Sequence, residues 1–462
     1  MLRCWFAAGL LALVLTGSAP ADEPIAVKVL YCGEPGSERA ADYVKFLESH
    51  FSHVAVQNLL TFKEEQATGH DVVVIDWSPV YDAGKGEMND EKWKTLRKAP
   101  PLGANFRRPT ILIGGAGGTV IQSARLKIDW LCLCLDGPAH RVAVDHPLFH
   151  APLEVNPEFS EQDTPADYAD ETVDPTLGKK MSVWRMQTKN FPEVDPGLVS
   201  NLYGFADSPD AEVFAQGMAG KGPDTVTLGR HANYFLWGFS ASPADMAPAA
   251  RRLFVNAVCY IRKFDGQSPL VYRTSPGREW ALRYALIPRQ LTDEGRKRSE
   301  QQLREMLPRF LNLLPQEARD DPEAFIAKRV EQSQTAYRGW LKEVIPQPLH
   351  DEFGMDVEKY QAYYHENLEY LRPDDEKSQK LVVDDDAKTV GPSNRRPEML
   401  ERCVGMLENN DRPELATRLL KRYTSQDFAT AGQWRAWLDA NKPRLFFSDS
   451  GGYKFFAQPA SP

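Results

Sequence analysis

The chain has 462 residues, 26% of them charged and 42% hydrophobic, with a formal net charge of −9 and a pI near 5.6. That length accommodates two or three domains around a large core. The acidic balance, without a Lys/Arg stripe, excludes a nucleic-acid surface. Six cysteines are too few and too scattered for a disulfide framework.

Met1-Leu2-Arg3 supplies one positive charge, Cys4 to Thr16 is an almost unbroken apolar run, and Ala19-Pro20-Ala21 is a small-x-small cleavage site. This is the layout of a secretory signal peptide over residues 1–21, too short to span a bilayer with ease. The expectation is an exported protein, periplasmic or secreted, cleaved near Ala21 and left without a stable membrane anchor. The alternative is an uncleaved N-terminal anchor.

From Ile25 to about Gly266 strands alternate with helices. Ile25–Tyr31 reads as a strand and Ser37–His50 as a helix, followed by strands at His53–Gln57 and Asp71–Asp76. The last of these is apolar enough for burial on both faces. A polar excursion over residues 78–106 precedes strands at Thr110–Ile113 and Trp130–Leu135. Residues 151–178 are acidic, proline-containing and read as a surface loop. Further strands are expected at Met181–Met186, Leu198–Phe205 and Thr225–Leu228. Pro243–Lys263 is a helix, with Met246, Ala250, Leu253, Phe254, Ala257, Val258 and Ile261 at spacings of three and four. This rhythm predicts an α/β domain over residues 22–266, doubly wound around a mostly parallel sheet.

After Gly266 the chain turns helical. The expected segments are residues 267–345 and a C-terminal region, 346–462. Asp321-Pro322 reads as a helix cap followed by proline at the first helical position. Residues 398–408 and 412–422 could form a solenoid-like helix pair. Asp384-Asp385-Asp386 lacks the spacing of a calcium loop and reads as a solvated turn. The aromatic tail, Phe446 to Phe456, is too apolar to stand in water, so it should pack against the body or a partner.

The strand at Thr110 runs into Gly114-Gly115-Ala116-Gly117-Gly118. The G-x-x-x-x-G-K-[ST] of a phosphate loop is absent, and G-x-G-x-x-G is not matched in frame. A nucleophile elbow fits better, with Ala116 at the position of the attacking residue. Alanine cannot attack a carbonyl. A plain structural turn is the other reading.

Several stretches together carry a resemblance: Asp71-Val-Val-Val-Ile-Asp76, Ile111-Leu-Ile-Gly-Gly-Ala-Gly-Gly118, His146-Pro147-Leu148-Phe149, Leu228–Phe239 and Arg251–Ile261. Over residues 25–266 the chain resembles the ThuA-like (trehalose-utilisation) branch of the class I glutamine-amidotransferase-like fold. The resemblance implies a flavodoxin-like sheet without glutaminase activity and an association with sugar metabolism.

In an open α/β sheet, ligands bind beyond the carboxyl ends of the strands. Those ends offer Cys32, Glu34, Asp76, Trp77, Gly115, Ala116, Gly117 and His140 as ligand contacts, with His231 and Asn233 after a late strand. His146, His231 and Asp76 are the acid/base candidates. Cys132 and Cys134 face the same side of a strand and read as core, like Cys32, Cys259 and Cys403. No C-x-x-C or H-E-x-x-H spacing occurs, so neither a metal nor a cofactor is assigned. Two functions follow. One is a carbohydrate-binding or carbohydrate-processing protein. The other is a non-enzymatic interaction module whose helical C-terminal half binds a protein partner.

Overall fold

The computed structural model describes residues 23–459 apart from 83–86, 123, 130–131, 166–167, 169–176, 221, 311–315 and 376–377. The expected signal peptide and part of the acidic 151–178 stretch lie outside the described residues.

Strand β1 (Ile25–Gly33) leads into helix α1 (Glu38–Glu48). Ser37 caps α1 by accepting from the Ala40 N–H, and Ala40, Tyr43 and Leu47 form its buried stripe. Strands β2 (Phe51–Asn58) and β3 (Val72–Ile75) flank β1 in parallel. Along β3, Val72 and Val74 face one core while Val73 and Ile75 face the other. That alternation is why the sequence is apolar at every position. The polar excursion contains the small hairpin β4 (Tyr81–Asp82) and β5 (Glu87–Met88), then α2 (Asp90–Leu96). Strand β6 (Thr110–Ile113) passes directly into α3 (Gly114–Val120).

Seven more strands follow: β7 (Cys132–His140), β8 (Phe159–Asp163), β9 (Lys180–Trp184), β10 (Gly197–Asn201), β11 (Ala211–Ala219), β12 (Thr225–His231) and β13 (Tyr234–Trp237). Helix α4 (Pro248–Ile261) closes the region, its buried stripe running through Leu253, Phe254, Ala257, Val258 and Ile261. The 11-stranded sheet has the order β2-β1-β3-β6-β13-β12-β10-β7-β9-β8, with β11 joining β12 and β7. The β2-β1-β3-β6-β13 half is parallel, and every pairing beyond β13 is antiparallel. Helices α1 and α4 cover one face; α3 packs on the other. The expected helix-flanked α/β sheet is borne out, and its antiparallel extension is the feature the sequence did not show. Within the expected loop at 151–178, β8 pairs with β9. Cys132 and Cys134, expected as core thiols, are instead bonded to each other as a disulfide, still packed against the core.

The C-terminal region is helical, as expected. It comprises α5 (Trp280–Tyr284), α6 (Ile287–Gln290), α7 (Asp293–Phe310), α8 (Gln316–Asp320), α9 (Pro322–Val344), α10 (Gln347–Phe353) and α11 (Val357–Asn367). The pair β14 (Leu371–Pro373) and β15 (Leu381–Val383) follows, then α12 (Asp385–Val390), α13 (Pro397–Glu408), α14 (Pro413–Thr424) and α15 (Ala431–Asn441). Asp321 caps α9 ahead of Pro322. Asp384 is not a solvated turn residue: it is buried, caps α12 and accepts from Tyr423 and Arg422. The aromatic tail forms the hairpin β16 (Leu445–Ser448) and β17 (Lys454–Ala457). Phe455 packs with Tyr423 and Trp434, and Tyr453 with Tyr284, Tyr360 and Tyr364. The tail is core material, set between two helical clusters.

Candidate functional site

The carboxyl ends of the parallel strands hold Cys32, Asp76, Trp77, Gly115 and Ala116, and they enclose almost no space. The cavity there is about 20 Å3, room for a single water. Its centre is an ion pair. Arg39, from α1, donates to Asp76 through Nε at 2.9 and 3.1 Å and through Nη2 at 2.8 Å. Tyr31 donates to the same carboxylate at 2.7 Å, and Arg39 Nη1 reaches the Ser240 carbonyl at 2.6 Å. Asp195 closes another wall by accepting from the Val80 and Tyr81 N–H groups, and burial raises its carboxyl above the usual range. Cys32 is fully buried, and burial pushes its thiol far up, away from the reactive thiolate. Glu34, at the rim, is half-exposed with Lys92 at 4.0 Å.

The glycine turn has the shape of an elbow in a shifted frame. The residue that turns from strand to helix is Gly114, at φ 46, a conformation costly for any side chain. Ala116 lies buried inside α3. A Cβ at Gly117 would stand 2.6 Å from the Leu112 backbone, so that glycine serves close helix–strand packing.

The remaining candidates lie elsewhere. His231 ends β12 and Asn233 lies in the two-residue turn that follows, where His231 pairs with Tyr234 at the amino end of β13, the edge opposite Asp76. His231 is fully buried; its Nδ1 accepts from Lys127 N–H at 3.1 Å, and Asp210 is 3.7 Å from Nε2. Burial, then the nearby Lys127, Arg273 and Arg230 charges, hold it neutral. Asn233 donates to the Arg108 carbonyl at 2.9 Å. His146 caps a 3-10 turn through Leu148 N–H and faces Glu212 at 3.4 Å, with Phe214 and Tyr260 around its ring. His140 is buried at the end of β7, opposite Gln216 and Val183. The proposed trio of His146, His231 and Asp76 therefore does not converge. Among the described residues no group of three or more His, Cys, Asp or Glu side chains is placed to hold a metal ion, and no helix is long and apolar enough to cross a membrane.

An open cavity of about 550 Å3 lies where the α/β domain meets the C-terminal hairpin. Three aromatic side chains line it: Tyr203 after β10, Trp280 at the start of α5, and Phe447 on β16. Tyr203 and Trp280 meet edge to face at 5.6 Å. Four carboxylates, Asp207, Asp224, Glu279 and Asp449, and two arginines, Arg283 and Arg395, line it as well. Asp449 is clamped by Arg278 through Nε at 2.7 Å and Nη2 at 2.6 Å. Asp207 accepts from Ser450 N–H at 2.8 Å and from the fully buried Lys127 ammonium at 3.2 Å. Asp224 pairs with Arg283. Glu279 has no cation within ion-pairing distance among the described residues. Partial burial, followed by the neighbouring Asp449 charge, raises its carboxyl above the usual range. The walls are thus fixed by ion pairs, while the rings and one carboxyl face the cavity. Sequence reasoning missed all of these residues except the tail. Their one signal is the pairing of acids with aromatics in Glu279-Trp280 and in the Phe446–Tyr453 segment.

No protein-family profile matches the chain, and no curated protein matches it. Among solved structures it is similar to a proposed GMP synthase subunit from Thermoplasma acidophilum, with 10% identity over 52% of this chain and 96% of that one, and a TM-score of 0.26. At that score the likeness carries no argument, and the fold assignment rests on the sheet topology above.

Proposed function

We propose that the chain is an exported carbohydrate-binding protein, whose ThuA-like α/β domain is a scaffold and whose ligand sits in the junction cleft. The observation that carries this reading is the contrast in space and lining: about 550 Å3 with three aromatic rings and four carboxylates at the junction, against about 20 Å3 at the strand edge. Flat rings suit the apolar C–H faces of sugars. Ionised carboxylates accept from hydroxyls in charge-assisted hydrogen bonds. The volume lies within the range of small-ligand pockets. Asp207 and Asp449 are already oriented by Lys127, Ser450 and Arg278, so little ordering is required on binding.

The test is calorimetric titration with a panel of neutral mono- to tetrasaccharides. Trp280→Ala should weaken the best ligand about tenfold, the equivalent of about 1.4 kcal/mol, with Tyr203→Ala acting in the same direction. No binding to any member at millimolar concentration, or equal binding by both variants, would overturn the assignment.

A further inference from the structure

On the other side of the same hairpin lies a larger cavity, about 840 Å3, of opposite character. Six cations line it: Arg125, Arg372, Arg418, Lys421, Arg422 and Lys454, against the two carboxylates Asp374 and Asp375. The chain as a whole carries a net charge of −9, so this concentration of positive charge runs against its composition. The cations come from four separate places in the fold: the α/β body, β14, α14 and β17.

Four of them have carboxylate partners outside the cavity. Arg372 and Arg422 share Asp384, Arg418 pairs with Asp386, and Lys421 pairs with Asp427. Those pairs fix the guanidinium groups of α14 along one wall. Arg372 Nε is 3.4 Å from Asp384 but out of hydrogen-bonding alignment, so that donor is left over. The side chains of Arg125 and Lys454 make no ion pair among the described residues, although the Arg125 backbone N–H donates to Asp129 at 2.9 Å. Arg125 also sits at φ 57, an uncommon conformation for a residue with a side chain. Gly451 and Gly452 line the same cavity, with Gly452 at φ 95 and the Thr274 hydroxyl 3.6 Å from where its Cβ would stand.

We propose that this groove binds an oxyanion ligand, a phosphate or sulfate ester, with Arg125 and Lys454 as its primary contacts. Arg125 and Lys454 are the two of these cations whose side chains make no ion pair among the described residues, and Asp374 and Asp375 share the groove with them. Arg418 and Arg422, held by Asp386 and Asp384, add fixed positive charge along one wall, which favours an anion. The proposal does not depend on the junction cleft binding sugar.

Two probes distinguish the source of the anion: pyrophosphate, and a heparin-derived hexasaccharide. Each is titrated at about 50 mM and about 200 mM salt, where the Debye length shortens and ionic contacts weaken. Saturation by pyrophosphate assigns the groove to small oligophosphates; binding of the hexasaccharide alone assigns it to sulfated polymers. In either case Arg125→Glu/Lys454→Glu should weaken binding at least tenfold, with a smaller loss in Arg125→Ala/Lys454→Ala and none in Trp280→Ala. Failure of both probes to bind at low salt, or unchanged affinity in both double variants with an unchanged melting temperature, would overturn the proposal.

Discussion

Two carboxylate-rich places in this molecule are built on opposite plans. At the carboxyl edge of the parallel strands, Asp76 is saturated by Arg39 and Tyr31, and nothing larger than a water fits beside it. At the junction, Asp207 and Asp449 are held by Lys127, Ser450 and Arg278, while their cleft stays open. The same residue types give a strut in one place and a lined cavity in the other. The difference is whether the pairing cation shares the space: Arg39 lines the cavity beside Asp76, whereas Lys127 and Arg278 are not among the residues lining the cleft beside Asp207 and Asp449. Position at a fold's customary binding edge is therefore weaker evidence for a site than whether the cations that pair its charges share the space.

The sharpest test of that contrast is Asp76→Ala. The side chains of Arg39 and Asp76 are 10% and 1% exposed, so removing the carboxylate leaves a buried guanidinium without its partner. The expected loss is about 3–5 kcal/mol in urea unfolding. A loss under about 1 kcal/mol would mean that Arg39 escapes to solvent and that the edge opens, which would return it to consideration as a ligand site.

His231 supplies a second test, on the edge opposite Asp76. Its native proton affinity lies well below the ordinary value of 6.5 because it is buried among positive charges. Below pH 6.5 the unfolded chain binds a proton that the native protein does not, so stability rises with pH there and falls as the solution is acidified. One such group contributes a slope of at most about 1.4 kcal/mol per pH unit, from 6.5 downward until the native imidazole itself titrates. His231→Gln should remove that component from the stability profile between pH 6.5 and 5. An unchanged slope would show that His231 is charged or accessible in the native protein, reviving it as an acid/base residue.

The sequence made the α/β half readable where periodicity is local. The Asp71–Asp76 run and the spacing in α4 each state burial without outside information. The pairing of β12 with β13 was not readable, because the turn places Ala232 at φ 50, where glycine or asparagine is the usual signal. The long strand β11 was missed for a different reason. Its last six residues are all buried, so the alternation that marks a strand is absent. The junction cleft is a tertiary product: Arg278 and Asp449 are 171 residues apart, and no spacing rule connects them. Candidate histidines were named from residue type, which says nothing about burial; His231 proved to be interior and His146 a turn cap.

The smallest expected effect concerns the residue that first suggested a lost catalytic centre. If Ala116 stood at the strained tip of an elbow, Ala116→Cys would present a thiol to solvent beside the amino end of α3. Instead Ala116 lies inside the helix, 4% exposed, against the cavity of about 20 Å3. A sulfur atom can occupy part of that space, so the stability change should stay within about 1.5 kcal/mol, the range of well-tolerated core swaps. The new thiol should resist a disulfide reagent in the native protein and react at once after unfolding, because a buried thiol is held in its protonated form. Rapid native-state labelling would place the side chain at an open edge and contradict the closed Arg39–Asp76 plug. Slow labelling fixes the strained position at Gly114, where no side chain of any kind is available to attack.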